Sequence, residues 1–182
     1  PDAIIRIGIK RLCRQRLVEA SSSNETLMEQ EHSAWIDVLK ESPIALVPEK
    51  ANEQHYEVPP RLFELVLGDR LKYSSGLWPE DVSSLDESEV AMLKLTTDRA
   101  GLVDGQDVLE LGCGWGSLTL YMAECFPKSK ITAVSNSNDQ RQFIEARCEE
   151  RNLKNVEIIT ADMNDFETTK LFDRVISIEM FE

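Results

Sequence analysis

A chain of 182 residues, 42% hydrophobic and 29% charged, is long enough to bury a real core. Its net charge of −13 argues against a nucleic-acid partner, because phosphate binding rests on Lys and Arg. No apolar run approaches the length of a membrane span, and Cys13, Cys113, Cys125 and Cys148 form no CxxC pair and, with two histidines, no metal cluster. Reduced thiols and a cytoplasmic location are the expectation, with no metal.

The charge is uneven. Arg6, Lys10, Arg11, Arg14 and Arg16 face only Asp2 in the first seventeen residues, so that stretch carries +4 and the remainder −17. Residues 3–19 read as a helix with Ile5, Ile9, Leu12 and Cys13 on one face, docked through that face with its arginines solvated. Ser21 to Asn24 breaks it. A second helix carries Met28, His32, Trp35 and Leu39 along one side, with His32 read as a packed histidine rather than a ligand. Pro43 and Pro48 close this section.

Gln54-His-Tyr-Glu-Val-Pro-Pro60 leads into a short helix from Arg61 to Leu67, stopped by Gly68. The aromatics and hydroxyls of Leu71-Lys-Tyr-Ser-Ser-Gly-Leu-Trp78 suit either a lid or a packed connector. Ser84-x-x-Glu87 is a capping box for a helix from Glu87 to Ala100, and Gly101 and Gly105 bracket the turn that follows.

The central stretch runs from Val108 to Ser117, Val-Leu-Glu-Leu-Gly-Cys-Gly-Trp-Gly-Ser. An apolar strand carries one acid, Glu110, and ends in glycines at 112, 114 and 116. Leu118, Tyr121, Met122 and Cys125 then recur at helical spacing on one apolar face. Strand, glycine turn and helix open a nucleotide-type βαβ unit, in which a ligand lies against bare backbone at a positive helix end. The spacing is G-x-G-x-G, which is neither the dinucleotide fingerprint nor a phosphate loop. Its acid-x-Gly-Cys-Gly-x-Gly form resembles the first motif of S-adenosylmethionine-dependent methyltransferases.

Lys130 to Ser135 is a second strand, ending at Ser135-Asn136, and Ser137-x-x-Gln140 is another capping box. Its helix runs to about Asn152, with Phe143, Ile144 and Cys148 inward. Asn155 to Thr160 and Phe172 to Ile178 are further strands, ending at Asp162-Met163 and at Glu179. Strands alternating with helices predict a right-handed, doubly wound parallel sheet with its ligand at the carboxyl edge.

His55-Tyr-Glu-Val-Pro59, Leu71-Lys-Tyr-Ser74, the Glu110–Ser117 loop and Ser177-Ile-Glu-Met-Phe-Glu182 together resemble the cyclopropane-fatty-acid synthase superfamily of methyltransferases. Pro43-Ile-Ala, Glu53-Gln-His-Tyr56, Asn155-Val-Glu-Ile-Ile159 and Ile178-Glu-Met-Phe-Glu182 are most similar to its coclaurine N-methyltransferase branch. The likeness runs from about residue 40 to the end. It implies a class I methyltransferase fold, a Rossmann-like α/β sheet, with an N-terminal helical cap. Residues 1–85 would form cap and lid, and 86–182 the cofactor domain.

The resemblance further implies S-adenosyl-L-methionine as cofactor. Tyr73 and Ser74 would close over its methionine end, where Gly112, Cys113, Gly114 and the acid Glu110 also stand. Ser135, Asn136 and Gln140 would reach ribose and adenine, with Asp162 and Met163 flanking the adenine and Ile178 under the reacting centre. Asn136 stands where many methyltransferases place an acid, and it still accepts and donates hydrogen bonds.

Lipid-cyclopropanating members usually carry Gly and Cys where this chain has Glu179 and Ser75. Glu179 and Glu182 are therefore read as catalytic acids that attract a small amine and remove its proton. Transfer to an unsaturated lipid is the alternative within the superfamily, and a non-catalytic cofactor-binding module the alternative outside it. A homodimer is compatible with the reading. Members of the family continue past the position of Glu182 with His, so the chain reads as the N-terminal portion of an enzyme, its C-terminal strands absent.

Overall fold

The computed structural model describes residues 2–20, 25–44, 59–73 and 75–180. The chain divides into two compact units, Pro1–Leu46 and Val47–Glu182.

The first unit contains helices α1, Asp2–Ala20, and α2, Glu25–Glu41. Both lie where the sequence placed them, and the expected break at 21–24 falls outside the described residues. Their apolar faces are not packed as expected. Ile5, Ile9 and Leu12 of α1 are exposed, as are Met28, His32, Trp35 and Leu39 of α2. His32 is therefore a surface histidine, not a packed one. The described residues of this unit form two helices, and two helices by themselves enclose little, so periodicity alone did not secure burial.

Among the described residues, the first element of the second unit is α3, Pro60–Val66, whose proline at the first helical position needs no amide partner. Next comes α4, Leu85–Arg99, started by the expected capping box: Ser84 accepts from Glu87 N, and the Glu87 carboxylate accepts from Ser84 N. Glu89 of α4 binds the amides of Gly68, Arg70 and Lys72, which ties residues 68–72 into the same unit.

Strand β1, Asp107–Leu111, is followed by α5, Ser117–Cys125, then β2, Lys130–Ser135, and α6, Asn138–Glu150. The unit continues with β3, Val156–Thr160, and β4, Arg174–Ser177, which is shorter than its apolar run. All pairings are parallel, in the order β3-β2-β1-β4. The register puts Val108 and Glu110, Ile131 and Ala133, Ile158 and Ile176 on one face. That face holds the core with Leu93 of α4, Leu118 and Met122 of α5 and Ile144 of α6.

Helix α5 is buried at every position from Leu118 to Ala123, because α4, α6 and β2 all pack on it. It therefore has no single apolar face, and Cys125, expected on that face, is exposed. Strand order runs outward from β1 through β2 to β3 and reverses to β4. The switch point between β1 and β4 is where such sheets bind ligands. No described helix is long and apolar enough to cross a membrane.

Candidate active site

A cavity of about 330 Å³ sits at that switch point. Its walls include Glu110 of β1, Gly112, Cys113 and Gly114 of the turn, Ser117 of α5, and Ile178 and Glu179 beyond β4. The arm between α3 and α4 adds Lys72 and Tyr73. Tyr73, Glu110, Gly112, Cys113, Gly114, Ile178 and Glu179, all singled out from the sequence, thus share one space.

The glycines have three different duties. All are left-handed, with φ of 77°, 53° and 83° at 112, 114 and 116. A Cβ on Gly116 would stand 2.7 Å from Ile144 Cγ1, so this glycine lets α5 pack against α6. A Cβ on Gly112 would stand 2.7 Å from Met180 Sδ, whereas one on Gly114 would meet nothing within 4 Å. Gly114 is therefore bare toward open space. The amides of Gly112 and Cys113 both donate to Val134 O at 3.0 Å. Among the described residues, those of Gly114 and Trp115 donate to no backbone carbonyl. Gly112 thus gives clearance rather than a donor, and Gly114 and Trp115 keep donors at the head of α5.

Glu110 is buried, and its Oε2 accepts the Thr119 hydroxyl at 2.5 Å. Burial pushes its pKa up to about 7, against the single lowering bond from Thr119. A carboxyl held so near neutrality is poised to ionise when a cation arrives. Burial first, and the charge of Glu110 second, push the Cys113 thiol far up, so it stays protonated and inert. Among buried polar atoms, Ser117 Oγ, Trp115 Nε1 and Gln140 Nε2 have no partner.

The residues at the ends of β2 and β3 do not line this cavity. Ser135 and Gln140 are buried against each other, with the Ser135 hydroxyl donating to Gln140 Oε1 at 2.6 Å. Gln140 therefore does not complete a capping box: Ser137 Oγ accepts from Gln140 N at 3.4 Å, but the Gln140 side chain has turned to Ser135. Asn136 is exposed beside them. Asp162 closes its own turn, accepting Asn164 N at 2.8 Å, with Met163 half-buried within it. Ser74 and Glu182, and the His55-to-Pro59 motif up to Val58, lie outside the described residues.

Sequence reasoning missed Lys72, Ser117, Thr119 and Glu89. Thr119 was open to detection, since a hydroxyl two residues into a helix after a strand-borne acid suits a bond between them. Trp115 forms the floor toward a second, larger cleft of about 840 Å³. That cleft is walled by ion pairs, Arg70 and Arg151 on Glu124 and Arg147 on Glu64, and no strand end opens into it.

A four-stranded parallel sheet in this order, with a glycine turn and an acid at the switch point, is the Rossmann-like core of class I S-adenosylmethionine-dependent methyltransferases. The sequence model for mycolic acid cyclopropane synthetase matches residues 47–182, and the chain belongs to that family. An (S)-coclaurine N-methyltransferase from Thalictrum flavum subsp. glaucum is 42% identical over 79% of this chain and 40% of its own length. One from Papaver somniferum is 37% identical over 100% of this chain and 52% of its own length. The crystal structure of a coclaurine N-methyltransferase bound to N-methylheliamine and SAH superposes with a TM-score of 0.95 at 37% identity, covering 100% of this chain and 52% of that one. The chain thus spans about half the length of the relatives it matches.

Proposed function

We propose that the protein is an S-adenosylmethionine-dependent N-methyltransferase acting on a small, cyclic amine. The observation that carries the reading is that buried Glu110 and partly exposed Glu179 line one cavity together with the bare glycine turn. The N-methyltransferase relatives at 37% and 42% identity support it.

The residues present fit the cofactor's methionine end. Gly114 offers backbone with no obstructing atom, Glu110 an acid for an ammonium, and Ser117 Oγ and the Gly114 and Trp115 amides unused donors for a carboxylate. When bound, the cofactor supplies an electrophilic methyl group on sulfur. The chain's own residues orient and deprotonate. Tyr73, set edge-on to Phe63 at 5.7 Å, borders the same cavity from the arm. Glu179 attracts the acceptor in its ammonium form and takes the proton onto a carboxylate oxygen, freeing the nitrogen lone pair. Glu182 keeps the role of a second acid.

The test is product formation by the full-length protein. Cyclic secondary amines should yield S-adenosylhomocysteine and the N-methyl product in equal amounts. Turnover with unsaturated phospholipid vesicles alone would overturn the reading in favour of lipid alkylation. Cofactor binding with no product from either would mark a binding module.

A further inference from the structure

The segment from Gly68 to Lys72 has no regular secondary structure, yet every amide in it is bound. Glu89, 1% exposed on α4, accepts Gly68 N at 2.9 Å and Lys72 N at 3.2 Å on Oε1, and Arg70 N at 2.9 Å on Oε2. Asp86, one turn earlier, accepts Asp69 N at 2.7 Å, and Leu71 N closes on Gly68 O at 2.9 Å. The clamp holds Leu71 at a φ of 50°, a left-handed conformation that a bulky residue adopts only when its surroundings over-determine it. A connecting loop would ordinarily be adjustable; this one is fixed at each donor.

What the clamp delivers is Lys72. Its side chain is only 9% exposed, and its Nζ stands 3.9 Å from Glu179 Oε1. That is ion-pair range and longer than a direct hydrogen bond. Glu179 itself has a φ of 57°, so both ends of the contact sit on constrained backbone. A lysine inside a cavity that must admit a sulfonium is electrostatically adverse unless its charge is spent on a fixed carboxylate. Among the described residues lining that cavity the carboxylates are Glu110, already bound by Thr119, and Glu179.

We propose that Lys72 is a positioning residue for Glu179, and that the buried Glu89 carboxylate is the anchor that holds it there. The proposal rests on the amine-methylation reading, in which Glu179 meets the acceptor. Lys72 holds the Glu179 carboxylate turned toward the cavity until an ammonium replaces it.

The experiment uses the full-length protein with tetrahydroisoquinoline and piperidine as acceptors. Lys72→Met should lower kcat at least tenfold while cofactor Kd changes less than twofold, and Lys72→Arg should restore a third or more of the rate. The double variant Lys72→Met/Glu179→Gln should be no slower than Glu179→Gln alone. Glu89→Gln should match Lys72→Met in kcat; since it also loosens the arm and risks misfolding, the Lys72 variants carry the decision. Full kcat in Lys72→Met, or single effects that multiply in the double variant, would overturn the proposal. If Glu179→Gln is silent or wild type turns over no amine, the methylation reading has failed separately. The pair is then read from thermal midpoints, where coupling between the two substitutions supports the positioning and additivity overturns it.

Discussion

Thr119 donates its hydroxyl to Glu110 at 2.5 Å, joining the second residue after the start of α5 to the carboxyl end of β1 inside the core. This bond is the only side-chain hydrogen bond to Glu110 among the described residues, and it is outweighed by burial, which sets the carboxyl at about 7. Two consequences follow for pH. A folded-state pKa above the unfolded value means that the folded protein binds the extra proton. The stability it contributes is complete below about 4.5 and is lost as pH rises through about 7. The unliganded protein should therefore lose about 3 kcal/mol of stability across that window, measured by urea denaturation.

Cofactor binding should run the other way. An ammonium prefers ionised Glu110, so affinity for S-adenosylmethionine should rise about tenfold from pH 6 to pH 8 in calorimetry. Thr119→Val removes the lowering bond and should move the midpoint upward. Glu110→Gln should flatten the profile, and a profile unchanged in Glu110→Gln would take the acid out of the cofactor site.

The glycines should separate binding from folding. Gly114→Ala places a methyl in open space at a left-handed φ, so the fold should lose only about 1 kcal/mol while cofactor affinity falls tenfold or more. Gly116→Ala drives a methyl into Ile144 and should cost about 2–3 kcal/mol or more. Melting curves and calorimetry on the two variants check both halves; equal effects on affinity and melting would mean the turn is purely structural.

The substrate acids make a third case. In the full-length protein, Glu179→Gln and Glu182→Gln should lower turnover by about 10² to 10⁴ with little change in cofactor affinity. Higher pH should partly rescue Glu182→Gln, because more of the amine then arrives neutral. Rate–pH profiles with cyclic secondary amines decide; full activity of both variants at neutral pH makes the acids structural.

At the start of α4, Ser84→Ala removes the acceptor for Glu87 N and should destabilise by about 1 kcal/mol. Because Asp86 and Glu89 hang from the same helix, the loss should also speed amide exchange at Gly68 and Arg70. Unchanged exchange there would mean the arm does not depend on the helix start.

Local chemistry explains what the sequence made legible. β1 and β2 are apolar or β-branched runs bounded by glycine and polar residues, and Ser84-x-x-Glu87 completes its bonds within four residues. What stayed hidden depends on groups far apart in the chain. Glu89 reads as an ordinary helix acid until amides 17 to 21 residues upstream are brought to it. Lys72 acquires meaning only when the sheet order sets β4 beside β1. Gln140 had two partners within reach, its own helix start and the Ser135 hydroxyl, and took the second. Of the candidate site, the turn, Glu110 and Glu179 were readable because glycine and acid stand at strand ends. Ser135, Asn136, Gln140, Asp162 and Met163 were placed by the same rule, at the carboxyl ends of the parallel strands β2 and β3, one and two strands away from the switch-point cavity, which they do not line.

Trp115 lines both cavities and stands edge-on to Phe143 at 5.3 Å, with its indole N–H unpartnered. Of the three tryptophans, Trp35 and Trp78 are exposed and Trp115 is buried. An aqueous quencher such as iodide would silence the first two and leave the third emitting. The protein therefore carries its own optical probe at the floor of the site: residual emission in iodide should change colour when the indole gains a polar neighbour, reporting occupancy without any label.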